Sequence, residues 1–297
     1  MRKRISPVKL TCLSMLAAGL AAFGFAPAAS AHTGEFSKFN YCPSTNPAVK
    51  NCLQAVTYGG KVKLGKKNVP IVNPVTLQGG LTEEEEVSET FIAHMVAATN
   101  GETLTKVPQP VPGGLTGLVN CKEITIGWIR ASCEAVFENG FTGVNATLEL
   151  AKPASEIVVN ENALVEREGT ALVLPVKVHL ENPLLGSSCY VGSSSTPLLW
   201  NLTTGTTKPP AGFTPLKGKS GGASLTENSE IFNLKGAELV ENNWSAPTAS
   251  GCGGFLIELV LNPIINASVG LPAGAGVNEA VLVNNIARTS AAAVNKH

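Results

Sequence analysis

Between residues 171 and 180, Leu172, Leu174, Val176 and Val178 alternate with Val173, Pro175, Lys177 and His179. A period of two marks a half-buried strand, and a proline inside it points to an edge or a bulge. Comparable β-branched runs recur at 53–58, 61–64, 69–77, 90–97, 123–128, 144–150, 156–159, 197–203 and 231–240. Gly59-Gly60 and the stretch 65–68 separate the first three with turn chemistry. Two passages read instead as helices: 254–261, stopped by Asn262-Pro263, and 278–293, where Ala280, Leu282, Val283, Ile286 and Ala287 have helix-like spacing. Together these predict a mainly β protein, a β-sandwich or barrel-like core with one or two C-terminal helices packed on one end.

Residues 32–52, rich in Asn, Pro, Ser and Lys, read as an extended leading segment, and 203–224, with Pro209, Pro210 and Pro215, as a long ordered loop. The body of the protein is then 32–297, with 152–165 the place where two domains would divide. Gly-Gly-Leu-Thr occurs at 79–82 and 113–116, and one recurrence does not make a repeat protein.

The N-terminus has a different character. Arg2, Lys3, Arg4 and Lys9 precede an uncharged stretch of Leu, Ala, Gly and Phe that runs to Ala29-Ser30-Ala31. This is the layout of a cleaved signal peptide over 1–31, leaving His32 as the first mature residue; a cut after Ala28 also fits. No later apolar run approaches the roughly 20 residues that span a bilayer. The expected destination is secreted, extracellular or cell-wall associated.

Of seven cysteines, Cys12 leaves with the leader. An even six in an exported chain favours three disulfides, although sequence does not choose among their connectivities. The sequential set, Cys42–Cys52, Cys121–Cys133 and Cys189–Cys252, is the one expected here.

Charge narrows the function. The leader removes four of 22 Lys and Arg against 22 acids, for a net of about −4, and no basic stripe is present for nucleic acid. Lys61, Lys63, Lys66 and Lys67 read as a solvated hairpin. Every acid is glutamate, which excludes calcium loops of spaced Asp and any triad or dyad that requires Asp.

The remaining motifs carry little chemistry. Gly218-Lys219-Ser220-Gly221-Gly222 spells a nucleophile elbow, but it sits in a Pro/Gly loop and the one later histidine is His297. A mature N-terminal His32 could chelate copper through its amine and ring, as in bacterial lytic polysaccharide monooxygenases, with His94 or His179 as second ligand. No matching motif surrounds either histidine, and His32 is read as incidental. The run Glu83-Glu84-Glu85-Glu86 is read as an exposed loop. A glycosidase-like hydrolase needs two carboxylates at a set separation, and Glu123, Glu134, Glu149, Glu166, Glu168 and Glu181 offer no favoured pair. Trp128, Trp200 and Trp244 could stack on sugars but are read as core. No residue is assigned a catalytic or cofactor-binding role.

Val111-Pro112-Gly113-Gly114-Leu115, the run Asn182-Pro183-Leu184-Leu185-Gly186 leading into Cys189-Tyr190-Val191-Gly192-Ser193, the segment 202–210 and Gly251-Cys252-Gly253-Gly254 give the chain its resemblance to a group of exported actinobacterial proteins. The resemblance extends over most of the mature chain and brings no activity or catalytic residues. It implies a high-GC Gram-positive source and an extracellular or cell-wall location, where the sequons at Asn145, Asn201, Asn243 and Asn266 would not signal glycosylation. The expected role is non-catalytic binding of a cell-wall or surface component, with a glutamate hydrolase as the competing class. N-terminal sequencing of the natively isolated protein should begin at His32, and a chain still starting at Met1 would defeat this reading.

Overall fold

The computed structural model describes residues 32–297 apart from 84, 88, 89, 139 and 141. Residues 1–31, with Cys12 and the expected signal peptide, lie outside the described residues, as does Glu84 of the acidic run.

Fifteen strands lie among the described residues: β1 Asn51–Leu64, β2 Lys67–Pro70, β3 Val75–Leu81, β4 Glu85–Val87, β5 Thr90–Ala97, β6 Gln109–Pro110, β7 Asn145–Leu150, β8 Val158–Val159, β9 Leu172–Glu181, β10 Tyr190–Val191, β11 Leu198–Leu202, β12 Gly222–Leu225, β13 Ile231–Glu241, β14 Ala249–Ser250 and β15 Glu279–Ser290. Four α-helices accompany them: α1 Gly127–Glu138, α2 Glu161–Glu166, α3 Gly254–Val269 and α4 Ala291–Lys296.

All strand pairs are antiparallel, and one continuous path runs β12-β13-β15-β1-β3-β5-β8-β9-β10-β14, with β7 and β11 added to β9. The two halves of this sheet face each other, since Leu53, Leu77 and Leu282 of the first half line the same interior cavity as Leu148, Leu174 and Trp200 of the second. The sheet is not closed into a barrel. The segment 152–165 does not divide the protein: β8 pairs with β5 on one side and β9 on the other, so it joins the two halves.

Several expectations are corrected by neighbours that sequence does not show. Residues 278–293 form a strand and then a short helix, because β15 lies between β13 and β1 and turns Ala280, Leu282, Asn284 and Ile286 inward at period two. The runs 53–58 and 61–64 are one strand. Gly59-Gly60 makes no turn but a register shift after Thr57, and a Cβ at Gly60 (φ +103°) would lie 2.0 Å from the Val281 carbonyl oxygen. β9 is no edge strand. On one side β8 pairs with Leu172 and Val173 and β7 with Val176 to Glu181, so Pro175 turns its nitrogen into the gap between these successive neighbours, where no ladder donor is needed, while on the other side it lies opposite Leu199 of β11.

Residues 123–128 are not a strand. They span a 3₁₀ turn capped by Asn120 and the start of α1, whose Ile129 and Cys133 are buried at helical spacing. The leading segment is not extended: a 3₁₀ helix, Gly34–Phe39, packs Phe36 and Phe39 with Ile231, Ala291 and Val294 in a second, smaller core. The lysine-rich hairpin forms between β1 and β2 as expected, with Lys61 and Lys63 paired to Glu279. The loop 206–217 is held by a Thr206–Lys217 bridge.

Disulfides join Cys42 to Cys52, Cys121 to Cys133 and Cys189 to Cys252, the sequential pairing. Three of them suggest an oxidising environment. No described helix is long and apolar enough to cross a membrane. Chain-entropy loss in the unfolded state grows with loop length, so the bridge spanning 63 residues is the strongest staple. Replacing Cys189 and Cys252 together by Ser should cost about 4 kcal/mol, against about 3 kcal/mol for either short loop, as read from urea midpoints.

Candidate functional site

Helix α3 contains one charged residue, Glu258, and is apolar apart from that residue and Asn262, Asn266 and Ser268. Such a helix on a protein surface must leave part of its circumference uncovered. Leu261, Ile265 and Val269 point into the core. Asn266 fastens that face by exchanging two hydrogen bonds with the Ala249 backbone, and Asn262 accepts the Cys252 N–H at 3.0 Å. At the N-terminus, Gly253 takes the left-handed conformation (φ +86°), and any Cβ there would press on Ile257 and Leu261. The preceding residue, Cys252, is bonded to Cys189. Asn262-Pro263 does not stop the helix as expected: Pro263 lies on its exposed side and the helix runs on to Val269.

The opposite face is bare. Phe255 is 92% exposed, Leu256 78% and Leu259 87%, and their spacing places them side by side. Scattered exposed apolar residues are ordinary, but a contiguous patch of about 300–600 Å² is the size at which surfaces of soluble monomers are often functional. The helix is fixed at both ends, by the disulfide-linked Gly253 turn and by Gly270 in the left-handed C-cap.

A polar constellation occupies the outward face of β7, β9 and β10. Register places Glu149 opposite Lys177, and His179 opposite both Thr147 and Tyr190. His179 Nδ1 lies 3.7 Å from a carboxylate oxygen of Glu149 and 3.7 Å from one of Glu181. Tyr190 stacks on His179 at 4.4 Å between ring centres, and Lys177 Nζ sits 4.1 Å from the centre of the Tyr190 ring. Lys177 also approaches Glu149 at 3.2 Å, with Lys106 at 3.9 Å, while Thr147 donates to Glu181 at 2.8 Å. Of the six glutamates considered for hydrolysis, Glu149 and Glu181 are thus brought to one histidine. They face outward from the sheet and line neither apolar interior cavity.

The other candidate residues are dispersed. His94 bonds the Ser155 carbonyl through Nδ1 and approaches Glu85 at 3.3 Å. It lies opposite Val158, which lies opposite Val173, so two strand spacings and six residues put it about 20 Å from His179. The backbone N–H of His32 donates to Asn40 Oδ1. Among the described residues no group of three or more His, Cys, Asp or Glu is placed to hold a metal. Trp200 and Trp244 are buried and tilted against each other, but Trp128 is 58% exposed, against the core expectation. Ser220 lies in a loop followed by β12, with no helix behind it. Glu83, Glu85 and Glu86 are exposed, and Glu85 and Glu86 belong to β4 rather than to a loop. Glu123 accepts a hydrogen bond from the Asn120 side chain, and Glu134, Glu166 and Glu168 are exposed.

Two features escaped the sequence reading. Glu241 is a buried carboxylate at the end of β13 that accepts the Asn243 N–H at 2.5 Å, and burial pushes its pKa up. The other is the bare face of α3.

No protein-family profile, curated sequence or solved structure matches the chain.

Burial, followed by the neighbouring charge of Glu149 and its hydrogen bond from the phenol, and then by Glu181, raises the Tyr190 pKa above its ordinary 10.0. The stability this confers is complete below pH 10.0 and is lost as pH rises through the folded value. Glu149→Gln should bring the Tyr190 transition down toward 10.0 in an ultraviolet titration, and an unchanged transition would remove Glu149 from the cluster's electrostatics.

Proposed function

We propose that the protein is an exported, non-catalytic component of the cell envelope that binds a partner protein by seating the bare face of α3 in an apolar groove. The observation that carries this reading is the near-complete exposure of Phe255, Leu256 and Leu259 on a helix anchored through Cys252. Exposing such side chains to water is unfavourable, and covering a large aliphatic or aromatic side chain returns about 1.5–3 kcal/mol. A helix presenting anchors at i, i+1 and i+4 suits helix-in-groove recognition. A lipid surface is the poorer fit, because interfacial helices carry Lys and Arg on their polar face, whereas α3 has only Glu258 and the mature chain is net negative.

The outward cluster gives less support to hydrolysis. Lys177 and Lys106 balance Glu149, and Thr147 holds Glu181, so the two carboxylates are engaged with protein groups. The three disulfides fit an exported chain.

Immobilised mature protein should retain one defined component of envelope extract. The double variant Phe255→Ser/Leu259→Ser should bind that component at least about tenfold more weakly, a loss of about 1.4 kcal/mol or more, with its unfolding midpoint unchanged or raised. Equal retention by parent and variant, binding to lipid vesicles that the variant abolishes, or turnover of polysaccharide, ester or peptide substrates would each overturn the proposal.

A further inference from the structure

Three voids adjoin in series through the interior. The first, about 200 Å³, opens beside α2 and has Glu161 and Arg288 among its lining residues. It shares Leu53, Leu164 and Ile286 with a second void of about 50 Å³ in the middle of the core. That void shares Ile71, Val75 and Leu148 with a third, also about 50 Å³, which reaches Val269 at the end of α3. Together they come to about 300 Å³, the low end for small-molecule sites, which run from about 300 to 1,000 Å³.

Their chemistry restricts the occupant. The shared walls are aliphatic side chains, and apolar voids of this kind stay dry and take apolar guests. A succession of small chambers fits an unbranched chain better than a fused ring. Trp200 lines the second void, and its buried indole N–H has no acceptor among the described residues. The mouth is charged. Arg288 follows Ala280, Leu282, Asn284 and Ile286 in the inward series of β15, and its Nε lies 2.6 Å from a carboxylate oxygen of Glu161. Glu161 opens α2, a helix of only six residues held by its Asn160 cap. The Arg288 guanidinium is thus already charge-paired with one carboxylate at the outermost void, and a guanidinium is a general partner for carboxylates.

We infer that the interior binds an unbranched aliphatic acid, its chain threading the three voids and its carboxylate taking the place of Glu161 on Arg288. This site is separate from the bare face of α3.

Displacement of a fluorescent polyene fatty acid from the mature protein tests it, with saturated acids of increasing length and primary alcohols of the same lengths as competitors. Affinity of the acids should rise about fourfold per methylene and level off once the voids are filled, and the alcohols should bind at least tenfold more weakly. Arg288→Gln should erase the preference for acid over alcohol. Val75→Phe, in the wall between the second and third voids, should move the plateau to shorter chains, and Leu259→Ser should change nothing. Absence of displacement, affinity independent of chain length, an acid preference that survives Arg288→Gln, or a plateau that stays put in Val75→Phe would overturn the inference. The length series on the parent protein decides the matter alone should Val75→Phe fail to fold.

Discussion

Apolar side chains from both halves of one antiparallel sheet meet in a single interior, and the placement of every other feature follows from that apposition. Leu53, Leu77 and Leu282 face Leu148, Leu174 and Trp200, which turns the alternate positions of the same strands to the opposite face of the sheet. Lys177, His179 and Glu181 therefore stand together on the outside of β9 because Val176, Val178 and Leu180 are committed to the inside. The two halves are joined through β8, a strand of two residues. The voids lie where the inner faces meet without filling the space between them.

Most of the strands were legible because their residues alternate, and alternation survives whatever the tertiary setting. What failed was the reading of ambiguous periods. Ala280, Leu282 and Ile286 satisfy both a helical and an extended repeat, and the choice was made by β1 and β13, which supply hydrogen-bond ladders on both sides of β15. The run 123–128 misled in the opposite sense: Ile124, Thr125 and Ile126 are β-branched, yet Asn120 and the Cys121–Cys133 bridge turn the chain into α1. Pro175 was legible as a place without a ladder donor, but not as the seam between β8 and β7.

Sites were harder to read than strands for a physical reason. The constellation around His179 depends on register between β7, β9 and β10, and register between strands separated by a loop is set by the whole inner face. Glu149 and Glu181 were both among the candidate carboxylates, but nothing in their sequence positions announces that they share a histidine. The bare face of α3 was hidden by Asn262-Pro263, which reads as a stop after eight residues, whereas the helix continues to Val269 and carries a single charge in sixteen residues. The cysteine count was the most direct signal of all, because an even six suits three bridges, while the pairing itself is fixed by the fold that brings each partner into reach.

β1 runs between β3 and β15, so the first long strand is completed by nearly the last. A ribosome or a translocation pore releases the chain from its N-terminus onward, and contacts between distant parts of a sequence are the slowest to form. The heart of the sheet must consequently wait, one side of β1 unoccupied, until residues 279–290 have emerged. Such a timetable keeps the polypeptide threadable for almost its full length, and it makes a prematurely terminated copy a chain with an open, adhesive edge.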